Sequence, residues 1–248
     1  MYARNDWRTR SRSEGLAQRN IGGSTDSRFG RGGPAPRSAR NTGAINSRTN
    51  KRAPRGPEIS ITSDLQVTDG KLRGRLLQNS LSPRGTPTCR HLREQMFRVL
   101  AKRVRAGRFL DLCAGCGTIG IEAISRGAML ATFVECSSRM ASHLRNNLKE
   151  AGVHENRGQV VEIEAVPYLN RCSRRGRVWD VVYLGRLDGE PGAQLIELLG
   201  RGRIIARGGV VVIEHSSDSA LSETLGVLKQ WRTIEKDGTS LSFYNRYL

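Results

Sequence analysis

The chain has 248 residues with 41 Lys or Arg against 23 Asp or Glu, a formal charge of +18 and a pI of about 10.9. The length suits one sizeable α/β domain plus an appendage, and the cation excess calls for an anionic partner, RNA foremost. No apolar run of about 18 residues exists to span a bilayer, the N-terminus has no apolar secretory core, and five irregularly spaced cysteines fit a reducing cytoplasm.

Residues 1–58 differ in composition from the rest, with 13 Arg or Lys and four acids (Asp6, Glu14, Asp26 and Glu58). Stretches such as Arg28-Phe29-Gly30-Arg31-Gly32-Gly33 cannot bury a core, so a disordered Arg/Gly-rich tail is expected. Such an arm either docks on RNA and orders there or stays a solvated tail. Residues 59–86 read as a β-hairpin and linker. Ile59, Ile61, Leu65 and Val67 lead into Asp69-Gly70, and Leu72, Leu76 and Leu77 follow, interleaved with Lys71, Arg73 and Arg75. Asp-Gly between alternating runs is a hairpin signal. Its cations would hold phosphates or simply face solvent.

The main domain is expected over 87–248. Thr86-Pro87 reads as a helix start, N-cap followed by first position. Leu92, Met96, Val99 and Leu100 recur at helical spacing, with Arg90, Arg93 and Arg98 elsewhere on the wheel.

Phe109 to Cys113 is an apolar run suited to a strand covered on both faces. Gly115, Gly117 and Gly120 then form G-x-G-x-x-G before a helix, and Glu135 ends the next apolar strand about 20 residues on. The first amides of that helix turn a partial positive charge toward any ligand. Asp111 decides which ligand. A carboxylate beside a dinucleotide pyrophosphate would be repelled. S-adenosylmethionine (SAM) instead carries a cationic sulfonium and amine, and its ribose hydroxyls need acceptors. Asp111 near the methionine moiety and Glu135 on the ribose therefore favour SAM over a nicotinamide or flavin dinucleotide. The bland alternative is a strand-to-helix turn without a ligand. Cys113 and Cys116 also spell Cys-x-x-Cys, a redox spacing. Because the pair overlaps the glycines, Cys113 is read as core packing and Cys116 as a loop residue. No second Cys pair completes a zinc site, and His91, His143, His154 and His215 are scattered, so no metal is expected.

Further strands are expected near 131–135, 160–164, 179–184 and 209–214, with Ser137 or Ser138 capping a helix that buries Met140, Leu144 and Leu148. Leu195, Ile196, Leu198 and Leu199 mark a later helix, and Trp231–Glu235 and Leu241–Tyr247 two last strands around Asp237-Gly238. Alternating strands and helices imply a doubly wound, mainly parallel sheet with its ligand crevice at the carboxyl ends of the strands.

The segment Leu110–Ala128 resembles the SAM-binding segment of the RsmD family, bacterial methyltransferases that act on a guanine N2 of small-subunit rRNA. Gly70-Lys71-Leu72-Arg73-Gly74-Arg75 is similar to that family's N-terminal hairpin. Pro87-Thr88 with Arg93-Glu94 resembles part of its Arg-Pro-Thr-x-Asp-Arg-x-Arg-Glu element, from which Thr86, Arg90 and His91 depart. Val212–His215 and Ser240–Tyr244 resemble later family strands, so the likeness covers about 66–248. It implies a class I, Rossmann-like SAM-dependent methyltransferase fold. It implies SAM contacts at Asp111, Gly115, Gly117 and Glu135, and Glu164 near the adenine amine. It also implies small-subunit rRNA or an assembling ribosomal subunit as partner. A monomer with neither membrane nor metal is expected.

One element departs. Family members follow the fourth strand with Asp/Asn-Pro-Pro-Phe/Tyr, which aims acceptors at the target amine and stacks an aromatic on the base. Here Trp179–Leu184 is followed by Gly185-Arg186-Leu187-Asp188, with Asp188 at the aromatic's place. No catalytic residue is named on that evidence, and two functions stay open. One is a SAM-dependent rRNA (guanine-N2) methyltransferase. The other is a degenerate methyltransferase fold that binds RNA or assists ribosome assembly. A dinucleotide oxidoreductase is disfavoured by Asp111.

Overall fold

The computed structural model describes residues 59–60, 65–80, 87–185, 190–219 and 221–246. The expected tail over 1–58, Thr86 and Asp188 lie outside them. The elements are β1 (Ile59–Ser60), β2 (Asn79–Ser80), α1 (Arg90–Val104), β3 (Arg108–Leu112), α2 (Thr118–Ser125), β4 (Leu130–Glu135) and α3 (Ser138–Glu150). There follow β5 (Gly158–Glu162), α4 (Ala165–Arg174), β6 (Trp179–Leu184), α5 (Glu190–Gly200), β7 (Ile205–Ser216), β8 (Thr224–Leu225), β9 (Leu228–Lys236) and β10 (Thr239–Arg246).

Eight strands make one sheet in the order β5-β4-β3-β6-β7-β10-β9-β8. The first five of that row are parallel, while β10 lies antiparallel between β7 and β9. The chain direction across the sheet reverses between β3 and β6. A doubly wound sheet opens its crevice at such a point, outside the carboxyl ends of the strands. Period-two alternation divides the core. Phe109, Val181, Val212 and Leu241 face α1, α2 and α3, where they meet Met96, Ile121 and Leu144. Leu110, Val182, Val211 and Tyr244 face α4 and α5, where they meet Leu169 and Leu195. The last two strands turn at Asp237-Gly238, where Thr239 pairs with Lys236.

Three expectations fail here for physical reasons. The hairpin does not turn tightly at Asp69-Gly70. Its arms pair Ile59 with Ser80 and Gln66 with Leu76, and Val67 N–H donates to the Arg75 carbonyl at 2.9 Å. Between them Thr68 and Asp69 donate their amides to the Glu122 carboxylate of α2, at 2.8 and 3.1 Å. Those groups are committed to α2, so the turn widens to 71–74. Gly70 (φ 85) is required: a Cβ there would lie 2.1 Å from the Ser125 carbonyl oxygen.

The second failure is the start of α1, at Arg90 rather than Pro87. Thr88 is held outside the helix, its hydroxyl donating to Glu214 of β7, 2.6 Å away. Third, Arg93 is not on the solvent side. It is 1 % exposed, donates to the Gln66 carbonyl at 2.8 Å and the Thr88 carbonyl at 3.3 Å, and pairs with Glu122 at 3.7 Å.

Candidate functional site

The strand–turn–helix from β3 to α2 positions two carboxylates around a glycine turn. Asp111, 1 % exposed, accepts the Gly120 N–H at 2.9 Å. Burial pushes its carboxyl up to about 7; the Gly120 amide opposes that rise, and the charges of Glu135 and Glu214 add to it. Glu135, at the end of the neighbouring strand β4, accepts the Gly115 N–H at 3.0 Å and the Ser137 N–H at 2.8 Å. One acid thus holds the helix end of the turn and the other holds its tip.

The glycines divide the work. Gly115 and Gly117 both have positive φ, 56° and 84°. A Cβ on Gly115 would meet nothing within 4 Å, so this backbone lines open space. A Cβ on Gly117 would lie 2.2 Å from Leu144, and one on Gly120 2.2 Å from the Phe133 ring. These two let α2 lie close on β4 and α3. Gly120→Ala is therefore expected to destabilise the fold by about 1–3 kcal/mol through overpacking, read as a lower urea midpoint at unchanged slope.

The cysteine reading holds in part: Cys116 lies in the loop as expected but is buried there, and Cys113 packs only partly against the core. Cys116 is 5 % exposed, and burial pushes its thiol up to about 11. Cys113 is half-buried at the mouth of the turn with φ 63. The strand ends one residue early, which leaves Cys113 to make the bend. A thiol held protonated by burial is a poor nucleophile, so the spacing carries no redox site.

Glu164 does not end the third parallel strand. It stands two residues beyond β5, exposed, as the N-cap residue of α4. It remains on the same rim, since Ile163 N–H donates to the Glu135 carbonyl at 3.1 Å. His215 is satisfied by Ser216 and Ser242 at 2.8 and 2.9 Å. Among the described residues no group of three or more His, Cys, Asp or Glu could hold a metal.

Sequence reading missed a third carboxylate. Glu214, near the end of β7, accepts hydrogen bonds from the Tyr183 phenol and the Thr88 hydroxyl on one oxygen. Desolvation foremost, then the charge of Glu214, holds the Tyr183 phenol well above its usual range, so it stays a donor. The signal was available: like Glu135, Glu214 closes an apolar strand at its carboxyl end. The described connections at this rim (113–117, 136–137, 163–164, 217–219 and 237–238) contain Glu164, Asp218 and Asp237 and no Lys or Arg. A donor set of carboxylates around open backbone fits a cationic ligand with hydroxyls and fits a pyrophosphate poorly.

A doubly wound sheet with its last strand antiparallel inside it, and acids flanking a glycine turn, defines a class I methyltransferase fold. A solved structure described as "Putative methyltransferase yhhF from Escherichia coli" superposes with a TM-score of 0.64 at 23% identity, covering 73% of this chain and 97% of its own. Residues 65–245 match the family described as "Conserved hypothetical protein 95". The chain belongs to that family, which is RsmD-like. The ribosomal RNA small subunit methyltransferase D of Buchnera aphidicola (subsp. Acyrthosiphon pisum) is 30% identical over 122 residues, 49% of this chain and 62% of the relative's length. The protein of that name from Haemophilus influenzae is 25% identical over 185 residues, 74% of this chain and 93% of the relative's length.

Proposed function

We propose that the chain is a SAM-dependent RNA methyltransferase whose target is a guanine N2 in small-subunit rRNA. The observation that carries this reading is the convergence of Asp111, Glu135 and Glu214 on the rim of a glycine turn whose Gly115 backbone lines open space. SAM, when bound, supplies a methyl group on a cationic sulfonium. Asp111 faces that positive charge with a carboxylate that ionises in response to it. Glu135 offers acceptors to ribose hydroxyls while fixing the Gly115 amide. Glu164 stands on the adenine side of the rim. The RNA substrate follows from the relatives' names and the net charge of +18. The Arg-rich arm over 1–58 and the exposed Lys71, Arg73 and Arg75 belong to the same reading as phosphate contacts.

A second reading has its own observation. Gly185-Arg186-Leu187-Asp188 lacks the two prolines and the aromatic that orient a target amine. That favours a protein that binds SAM and RNA without transferring the methyl. Calorimetry with SAM, followed by tritium-methyl transfer to unmodified small-subunit rRNA, separates the two. Binding with transfer to a guanine amine is the expected result. Binding without transfer would leave the second reading standing and sink the first.

A further inference from the structure

The charge of this molecule is divided along the strand axis. The described connections entering the parallel strands β3, β4, β5, β6 and β7 (105–107, 126–129, 151–157, 175–178 and 201–204) carry Arg105, Arg126, Arg157, Arg175, Arg177, Arg201 and Arg203 against a single acid, Glu155. The crevice end is the reverse, with acids and no Lys or Arg in its described connections. A phosphate backbone is attracted to the cationic end of the sheet.

These cations form one surface. Lys71 N–H donates to the Ser125 carbonyl at the end of α2, 2.9 Å, which brings the hairpin turn to this end. Ala106 N–H donates to the Gly127 carbonyl, 2.8 Å, joining that corner to the Arg105 turn. Arg103 Nε reaches the Gly208 carbonyl at 3.1 Å, beside Arg207. Trp179 N–H donates to the Ile204 carbonyl, 2.9 Å, and the Arg177 guanidinium lies 5.5 Å from the Trp179 ring centroid. Arg105, Arg177, Arg203 and Arg207 are exposed and form no ion pair among the described residues. Cations in the last turn of a helix stabilise its dipole, which accounts for Lys102 and Arg174. Arg177 also covers the Trp179 ring, whereas Arg203 and Arg207 lie outside every helix and need another reason.

We propose that the amino-terminal end of the sheet is an RNA-docking surface, separate from the crevice, that grips a second segment of a folded RNA. This goes beyond the methylation reading and does not need transfer to occur. Arginine's planar fork matches phosphate oxygens, and the cations flank the sheet on both faces, as a bulky polyanion requires. A bilayer fits less well. The exposed large apolar side chains at this end, Met129 and Val227, border β4 and β9, with β3, β6, β7 and β10 between them in the sheet. Among the described residues these two do not adjoin in the sheet, so they make no single apolar patch to insert.

The test uses the full chain with Arg177→Gln, Arg203→Gln and Arg207→Gln combined, and unmodified small-subunit rRNA as probe. Loss of three phosphate contacts should weaken binding about 50- to 150-fold at 0.15 M salt and flatten the log–log salt slope by about 2–3. The SAM isotherm should match wild type, because none of the three touches the crevice, and the thermal midpoint should fall only by the small amount that loss of the Arg177 contact with the Trp179 ring brings. The corresponding triple lysine variant should keep most of the affinity. Unchanged RNA affinity and slope in the glutamine variant would overturn the proposal. So would a loss of binding to phosphatidylserine vesicles with RNA binding intact, which would assign the surface to a membrane. A chain that binds RNA here but fails to bind SAM would refute the function proposed above and leave this surface standing.

Discussion

Asp111→Asn is expected to do two opposite things: stabilise the ligand-free protein above neutral pH and abolish SAM binding. Burial raises the Asp111 carboxyl from an ordinary 3.8 to about 7. A carboxyl whose folded pKa lies above its unfolded value favours folding below about pH 4 and loses that contribution as pH rises through about 7. The shift corresponds to roughly 4 kcal/mol between the two limits. Asparagine keeps an acceptor for the Gly120 amide and has no charge to desolvate. The variant should therefore melt several degrees higher than wild type at pH 8, with the difference shrinking steadily toward pH 4. A bound cation reverses the balance, because it favours the ionised carboxylate. SAM affinity of the wild type should fall as pH is lowered through about 7, and the variant should lose at least about 100-fold at pH 8, the weight of a charge-assisted contact in a dry site. Differential scanning fluorimetry and calorimetry over pH 5–8 check both arms. Retained SAM affinity in the variant would remove Asp111 from the site. Wild-type stability equal to the variant's at pH 8 would show the carboxylate to be better solvated than its burial implies.

Most of the parallel frame was legible because its signals are local and strong. The apolar runs at Phe109–Leu112 and Val181–Leu184 are buried strand segments, and Ser137 caps α3 as its position suggests, accepting from Met140 N–H. The glycine spacing told where the turn falls, and the acids at the ends of apolar strands told which chemistry faces it. What stayed hidden was set by partners distant in sequence. Thr88 looks like the edge of a helix start until Glu214, 126 residues on, takes its hydroxyl. Arg93 looks like a surface cation on a helical wheel until Glu122 and two carbonyls enclose it. Asp69-Gly70 carries a sound hairpin signal, and the turn still moves because α2 supplies better acceptors for those amides than a partner strand would. The strand-end acids show the difference in kind. Glu135 was found by its spacing from the glycines, whereas Glu214 has no such ruler and is recognisable only by its place at the end of a buried run.

Glu122→Ala is the expected stability lesion of the fold, for reasons unrelated to the crevice. Glu122 is completely buried on α2, the helix that the glycine turn introduces. Its carboxylate takes the Thr68 amide at 2.8 Å, the Thr68 hydroxyl at 2.6 Å and the Asp69 amide at 3.1 Å. It also pairs with Arg126 at 2.8 Å and lies 3.7 Å from the buried Arg93. Removing it strands a guanidinium in the core and unties the basic turn at once, so a loss of about 3–5 kcal/mol is expected. Replacing the charge on both sides should cost far less than the sum of the two single changes. In Arg93→Met with Glu122→Gln, no buried charge is left facing Arg93's place, and the amide oxygen still accepts from Thr68. Urea unfolding of the four proteins in that cycle measures the coupling. A cycle that closes with no interaction energy would mean that Glu122 acts through Thr68 and Arg126 alone, and that Arg93 is held by the Gln66 and Thr88 carbonyls without it.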